Sequence, residues 1–224
     1  MTQLIPILTI DGPSGSGKGS ISKCISEKMG WHYLDSGSLY RALGIAAIKN
    51  NIDINNEAAL VDLIGRINLE FKRTEQGHWG VLLNGEEVRS QLATEEVGQL
   101  ASKIAVFERV RQGLLAKQQA YQVMPGLVAD GRDMGSVVFP NAAYKVYLTA
   151  SADERGKRRY KQLIEKGINA NLRDVVQDIE QRDERDKNRA MSPLVVPNDA
   201  LYIDSSDKAI DEVVQQVLNL LKNK

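Results

Sequence analysis

Cysteine occurs once in these 224 residues, at Cys24, so no disulfide can close within the chain. Its reading is that of a small hydrophobe on a helix. Histidine occurs twice, at His32 and His78, too rarely for a histidine-rich zinc site. No apolar run approaches the roughly 18 residues of a membrane span, and no membrane contact is expected. Neither charge is in excess: 29 Lys+Arg face 29 Asp+Glu. Proteins that follow a nucleic-acid backbone carry a basic surplus, so no nucleic-acid partner is expected and any polyanion site must be local. The opening "MTQLIPILTIDG" lacks the basic region and cleavage site of a signal peptide. A cytoplasmic protein is the expectation. Repeats and low-complexity tracts are also missing.

What is there is an ordinary globular balance, 42% hydrophobic and 26% charged, in a length that suits one domain with insertions. Five short apolar runs read as buried strands: "ILTI" (7–10), "HYLD" (32–35), "GLVAD" (126–130), "YKVYLT" (144–149) and "LYID" (201–204). Helical patterns separate most of them. Between Ser20 and Met29, Ile21, Cys24 and Ile25 share a face. Near the end, Ile210, Val213, Val214, Val217, Leu218 and Leu221 repeat with the helical period. Strands alternating with helices predict an α/β fold with a parallel sheet flanked by helices. Residues 67–90 break the rhythm, with Ile67, Leu69 and Phe71 alternating and turn signals at "TEQG" and "NG"; they predict a small antiparallel β insertion. Residues 153–189 hold 11 Lys/Arg and 9 Asp/Glu, which predicts a solvated helical pair.

The first strand runs into "GPSGSGKGS", and a helical pattern follows. In that setting backbone amides wrap a phosphate, the helix N-terminus adds its positive end, and Lys18 supplies a point charge for the β- and γ-phosphates. The predicted phosphate cradle is Gly12, Pro13, Ser14, Gly15, Ser16, Gly17, Lys18, Gly19 and Ser20. A dinucleotide loop would need a glycine where Ser20 stands. The hydroxyl arrives one residue later than in G-x-x-x-x-G-K-[ST], and the chain lacks the N-K-x-D motif of a GTPase. The resulting G-K-G-[ST] resembles the loop of nucleoside monophosphate kinases. Gly19 offers Mg²⁺ no hydroxyl, so nucleotide oxygens and water must largely hold the ion.

Three further stretches ask for a role: "DSGSLYR" (35–41), "DGRDMGSVVFP" (130–140) and "RDERDKNR" (182–189). The first two follow strand ends, where α/β proteins bind ligands. Arg132 beside Asp133 sets a bidentate phosphate donor next to an acceptor. On a helix Arg182, Arg185, Asp186 and Arg189 share a face; spacing alone favours a surface salt-bridge ladder. Asp130 reads either as a water-mediated contact to Mg²⁺ or as a strand-end turn carboxylate.

Together these segments resemble bacterial cytidylate kinases across essentially the whole chain: "IDGPSGSGKGS", "LDSGSLYRA", "VADGRDMGSVVFP", "RDERDKNRA" near "SPL", "LYIDSS", and the β insertion. Adenylate kinases would show D-G-F-P-R where this chain has "DGRDM". The resemblance implies a P-loop kinase core on a five-stranded parallel sheet (1–40, 123–152, 190–224), a nucleoside-monophosphate-binding insertion near 41–122, and a helical lid near 153–189. It implies phosphoryl transfer from ATP, with Mg²⁺, to CMP and to dCMP, in a monomer. Ser36, Arg41, Arg132 and Arg189 are then expected at the acceptor phosphate, Ser102, Arg111 and Asp133 at the cytosine, and Arg182 and Asp186 at the sugar. Arg155, Arg158 and Arg159 are expected on a lid over ATP, with Lys18, Arg132 and Arg159 as the catalytic cations. Ser38 stands where alanine is common in the family, Ser20 and Ser136 where threonine is, and Glu108 where proline often is.

A phosphate oxygen with a second pKa of about 6 needs no general base at neutral pH. Catalysis is expected to rest on positioning and charge neutralisation. The alternatives are a kinase for UMP or AMP, a P-loop binding module, and a nicotinamide oxidoreductase.

Overall fold

The computed structural model describes residues 4–73, 79–165 and 167–222. The chain forms two compact units, Met1–His32 with Val123–Lys224, and Tyr33–Gln122.

The first unit opens with β1 (Ile7–Asp11), α1 (Lys18–Met29) and the start of β2 (His32–Asp35). It resumes with β6 (Leu127–Gly131), a π-helical turn over Met134–Val138, β7 (Tyr144–Thr149), α7 (Ala152–Glu165), α8 (Leu172–Asn188), β8 (Leu201–Asp204) and α9 (Ile210–Lys222). The five strands order as β2-β6-β1-β7-β8. β1 pairs in parallel with β6 on one side and β7 on the other, and β7 pairs with β8. Every residue of β1 and of β6 is buried. That is why both read as unbroken apolar runs rather than alternations.

The core joins this sheet to two helices. Leu8, Ile10, Val128, Val146, Leu148 and Ile203 meet Ile21 and Ile25 of α1 and Val213, Val214 and Val217 of α9. Cys24, Leu218 and Leu221 pack at its edge, whereas Ile210 stays 58% exposed in the first turn of α9. α1 begins two residues before Ser20 because Gly17 already caps it. The charge-dense tract forms the paired helices α7 and α8; the Asn171 side chain caps α8 by accepting from the Arg173 amide at 2.9 Å.

The second unit holds α2 (Ser36–Lys49), α3 (Glu57–Ile64), α4 (Arg89–Leu92), α5 (Glu95–Ile104) and α6 (Glu108–Gln119). With them is an antiparallel sheet of β3 (Leu69–Arg73), β4 (Trp79–Leu83) and β5 (Glu86–Glu87). The β insertion is therefore present. The "NG" signal is its β4–β5 turn, with positive φ at Asn84 (51°) and Gly85 (86°), as a two-residue hairpin requires. The "TEQG" signal at 74–77 lies outside the described residues. Tyr33, Phe71, Trp79 and Tyr121 pack edge to face or tilted, 5.4–6.0 Å between ring centroids. Glu108 occupies the first position of α6, where proline and an acidic side chain are both at home.

Candidate functional site

In the first unit β1 ends at Asp11 and α1 starts at Lys18, and the six residues between them form the glycine-rich turn. Gly12 is required there by close approach. A Cβ at that position would stand 1.9 Å from the Leu148 carbonyl oxygen. No side chain caps α1, and no acid sits in its first turn. The amide end of a 12-residue helix is thus left for an anion. Lys18 is buried and donates to the Pro13 carbonyl at 2.8 Å, folding back over the turn. Around it Ser14 and Ser16 lend carbonyls to Arg155 and Ser205, and Gly15 and Ser20 face solvent.

Burial pushes the Lys18 amine down to about 7, and the Arg132 charge adds to the effect. Asp130 and Asp11 pull the other way. Two cations that oppose one another's charge are costly unless an anion joins them. Burial pushes the Asp11 carboxyl up to about 6, against hydrogen bonds from the Gly135 and Met134 amides.

A second cluster of the first unit centres on α8. Arg182, Asp186 and Arg189 do share its face, but Asp186 is not the rung of a local ladder. Its Oδ2 accepts from Arg132 Nε at 2.7 Å, across 54 residues of sequence. Burial raises the Asp186 carboxyl, yet Arg132 and Arg182 outweigh burial and hold it below the usual range. Arg132 loses to burial and gains more from Asp186, Asp130 and Asp183 together, so its proton is held still more firmly. Arg189 donates to the Ser192 carbonyl at 2.6 Å and lies 4.0 Å from Asp133, both side chains being buried.

On α7, Arg155 is 4% exposed and fully engaged with protein: it donates to the Ala150 and Ser14 carbonyls and to Asp183. Arg158 reaches Glu154 and both the hydroxyl and the carbonyl of Ser205. Arg159 is half-buried on the same helix.

The remaining predicted residues lie in the second unit. Ser36 opens α2 and its hydroxyl accepts from Gln118 Nε2 at 2.8 Å. Asp35 caps the same helix by accepting from the Ser38 amide and hydroxyl. Arg41 donates to the Leu92 carbonyl and lies against Gly98. The Arg111 guanidinium sits 5.5 Å over the Tyr40 ring and donates to the Ala105 carbonyl at 3.1 Å. Ser102 is buried, its hydroxyl without a hydrogen-bond partner among the described residues.

Sequence reasoning passed over Asp11, Asp183, Gln118 and Tyr40. Asp11 carried a signal, since it ends an apolar strand as Asp130 does. Gln118 and Tyr40 carried none, because their roles depend on which helices meet.

Among the described residues no three His, Cys, Asp or Glu side chains form a metal cage. Asp130, buried at the end of β6, acts electrostatically on Lys18. This donor set fits a divalent ion held by nucleotide oxygens and water with one outer carboxylate, as Mg²⁺ commonly is.

A family profile described as cytidylate kinase matches residues 8–223. The cytidylate kinase of Aeromonas salmonicida (strain A449) is 50% identical over 218 residues, covering 97% of this chain and 94% of the relative. That of Colwellia psychrerythraea is 48% identical over 224 residues, covering 100% and 99%. That of Klebsiella pneumoniae (strain 342) is 48% identical over 224 residues, covering 100% and 98%. Among solved structures, an uncharacterized protein from Eubacterium ventriosum superposes with a TM-score of 0.51 at 12% identity, covering 98% of this chain and 99% of that one, a likeness of fold alone.

Proposed function

The chain belongs to the cytidylate kinase family, and from that premise we infer that it transfers the γ-phosphoryl group of ATP to CMP by direct in-line displacement. One observation carries the mechanism: Lys18 is buried and repelled by the charge of Arg132, which Asp186 keeps protonated. A transferring phosphoryl group between donor and acceptor relieves that repulsion. Stabilisation aimed at developing charge is worth most in a site that excludes water.

We assign the donor to Gly12, Pro13, Ser14, Gly15, Ser16, Gly17, Lys18, Gly19 and Ser20. The lid, near residues 153–189, closes over it with Arg155, Arg158 and Arg159. The acceptor phosphate goes to Ser36, Arg41, Arg132 and Arg189, cytosine to Ser102, Arg111 and Asp133, and the sugar to Arg182 and Asp186. Lys18, Arg132 and Arg159 are the catalytic cations. Asp130 would hold Mg²⁺ through water; the ion's chemistry is to neutralise charge on the ATP phosphates. dCMP is a second acceptor, and a single chain suffices. No side chain is asked to remove a proton, since the attacking phosphate is already a dianion.

The test is ADP release measured over CMP, dCMP, UMP and AMP at fixed ATP and Mg²⁺. The highest kcat/KM is expected with CMP. A preference for UMP or AMP would overturn the acceptor assignment. ATP hydrolysis indifferent to acceptor would overturn the kinase mechanism.

A further inference from the structure

Asp11 has no exposed surface, ends β1, and stands immediately before the phosphate turn. Its backbone is pinned from both sides. Asp11 is in register with Gly131 of β6 and with Tyr147 of β7. Its side chain points elsewhere. Oδ1 accepts from the Met134 amide at 2.8 Å and Oδ2 from the Gly135 amide at 2.7 Å. Those two amides directly follow Arg132 and Asp133. One carboxylate therefore ties the donor strand to the loop that presents the proposed acceptor ligands. The contact is close on both sides: a Cβ on Gly135 would stand 2.8 Å from Thr9 Oγ1, 3.1 Å from Pro197 Cγ and 3.3 Å from Asp11 Oδ2.

A buried carboxylate is expensive, and nothing in phosphoryl transfer consumes this one. What the carboxylate adds is two charge-assisted hydrogen bonds of fixed direction, the kind that sets a loop to a fraction of an ångström. We propose that Asp11 is a positioning residue for the acceptor: by holding the Met134 and Gly135 amides it keeps Arg132 and Asp133 in the place where CMP is bound. The inference rests on the acceptor assignment made above. It also makes a claim that a general stabilising role does not, namely that CMP binding suffers more than ATP binding. The phosphate turn keeps its backbone pairing when the side chain changes.

Asp11→Asn tests this. The amide keeps one acceptor but turns its NH2 on the other backbone N–H, leaving a buried donor unsatisfied. Such a loss is expected to weaken CMP binding roughly 5- to 150-fold. Binding of a non-hydrolysable ATP analogue should fall distinctly less than that of CMP, the smaller loss coming from the support that Asp11 gives the Lys18 charge. Hydrogen exchange at the Met134 and Gly135 amides should quicken in the variant. Gly135→Ala presses on the same contact from the loop side, and serves if the first variant does not fold; the same CMP-selective loss is expected. Equal losses for CMP and the ATP analogue in either folded variant would overturn the positioning role. Arg132→Ala is measured alongside. If it weakens CMP binding while Asp11→Asn and Gly135→Ala do not, positioning by Asp11 is wrong and the acceptor assignment stands. If it leaves CMP binding intact, the acceptor assignment falls, and this inference with it.

Discussion

Arg155 of α7 and Asp183 of α8 meet at 2.5 Å as a buried ion pair, with side chains 5% and 11% exposed. The same guanidinium donates to the Ser14 carbonyl in the phosphate turn and to the Ala150 carbonyl after β7. A residue that the family resemblance sets over ATP is here the joint between the two charge-dense helices and the turn. Removing one partner of a buried pair leaves the other charge uncompensated. Asp183→Ala is expected to lower unfolding free energy by about 3–5 kcal/mol. Asp183→Asn, which keeps an acceptor, should lose less. Urea melts at neutral pH give the comparison, and a loss below about 1 kcal/mol for the alanine variant would mean that the pair behaves as a surface bridge.

ATP binding should take up a proton. In the free protein burial and Arg132 hold the Lys18 amine at about 7, below its ordinary 10.5. Well above neutrality, free Lys18 is mostly uncharged. Triphosphate against it favours the charged form, so its pKa rises on binding. The sign follows: between the two values the complex holds one proton more than the free protein, and affinity falls as pH rises, by about tenfold per pH unit. Calorimetry at about pH 8.5 in buffers of different ionisation enthalpy should give an uptake approaching one proton per ATP. Lys18→Met should show none. Equal uptake in both proteins would assign the proton to another group.

The parts legible in the sequence are those fixed by local pattern. β1 and β6 are buried on both sides, so each reads as a bare apolar run. The hairpin at Asn84–Gly85 announces itself because few other residues accept positive φ at both positions. Long-range pairing is what stays hidden. Spacing places Asp186 between Arg182 and Arg189, and a ladder on α8 is the natural reading. Its nearest cation is instead Arg132, because the loop after β6 reaches α8. Asp183 looks like one more acid in a charged helix until α7 is packed beside it. Asp11 looks like a turn residue until its two amide donors, over 120 residues away, are known.

Asp186 is proposed to carry two duties that one variant can separate. Its pairing with Arg132 would orient the proposed phosphate donor, which any acceptor needs. Its free lone pairs are proposed to accept from a sugar hydroxyl, which only some acceptors offer. Asp186→Ala should therefore lower kcat/KM for CMP, dCMP and the arabinosyl analogue together, through Arg132, by about 2–5 kcal/mol. The ratio of CMP to dCMP should also contract, by about fivefold or more if a hydrogen bond is lost. Contraction of the ratio is the decisive reading. A uniform loss would leave Asp186 as the partner of Arg132 and nothing else.

Asp133 is assigned the cytosine, and its chemistry sets the direction of the test. It is 3% exposed, in the loop held by Asp11, with Arg189 at 4.0 Å. A carboxylate accepts from the N4 amino group of cytosine, as acidic side chains do in base readout. Against uracil the same carboxylate faces the lone pairs of O4. Discrimination then comes from mispairing in a buried site rather than from size, and buried mispaired groups discriminate strongly. Deleting the carboxylate removes a favourable contact for one base and an unfavourable one for the other. Asp133→Ala should lower kcat/KM for CMP by about 1–3 kcal/mol, roughly 5- to 150-fold. For UMP it should fall far less, or rise. The ratio of CMP to UMP, measured at fixed ATP and Mg²⁺, must collapse toward one. If both substrates lose activity equally, Asp133 serves Arg189 and the phosphate end, and base reading belongs to the second unit, where Arg111 lies over Tyr40 and Ser102 keeps a buried hydroxyl.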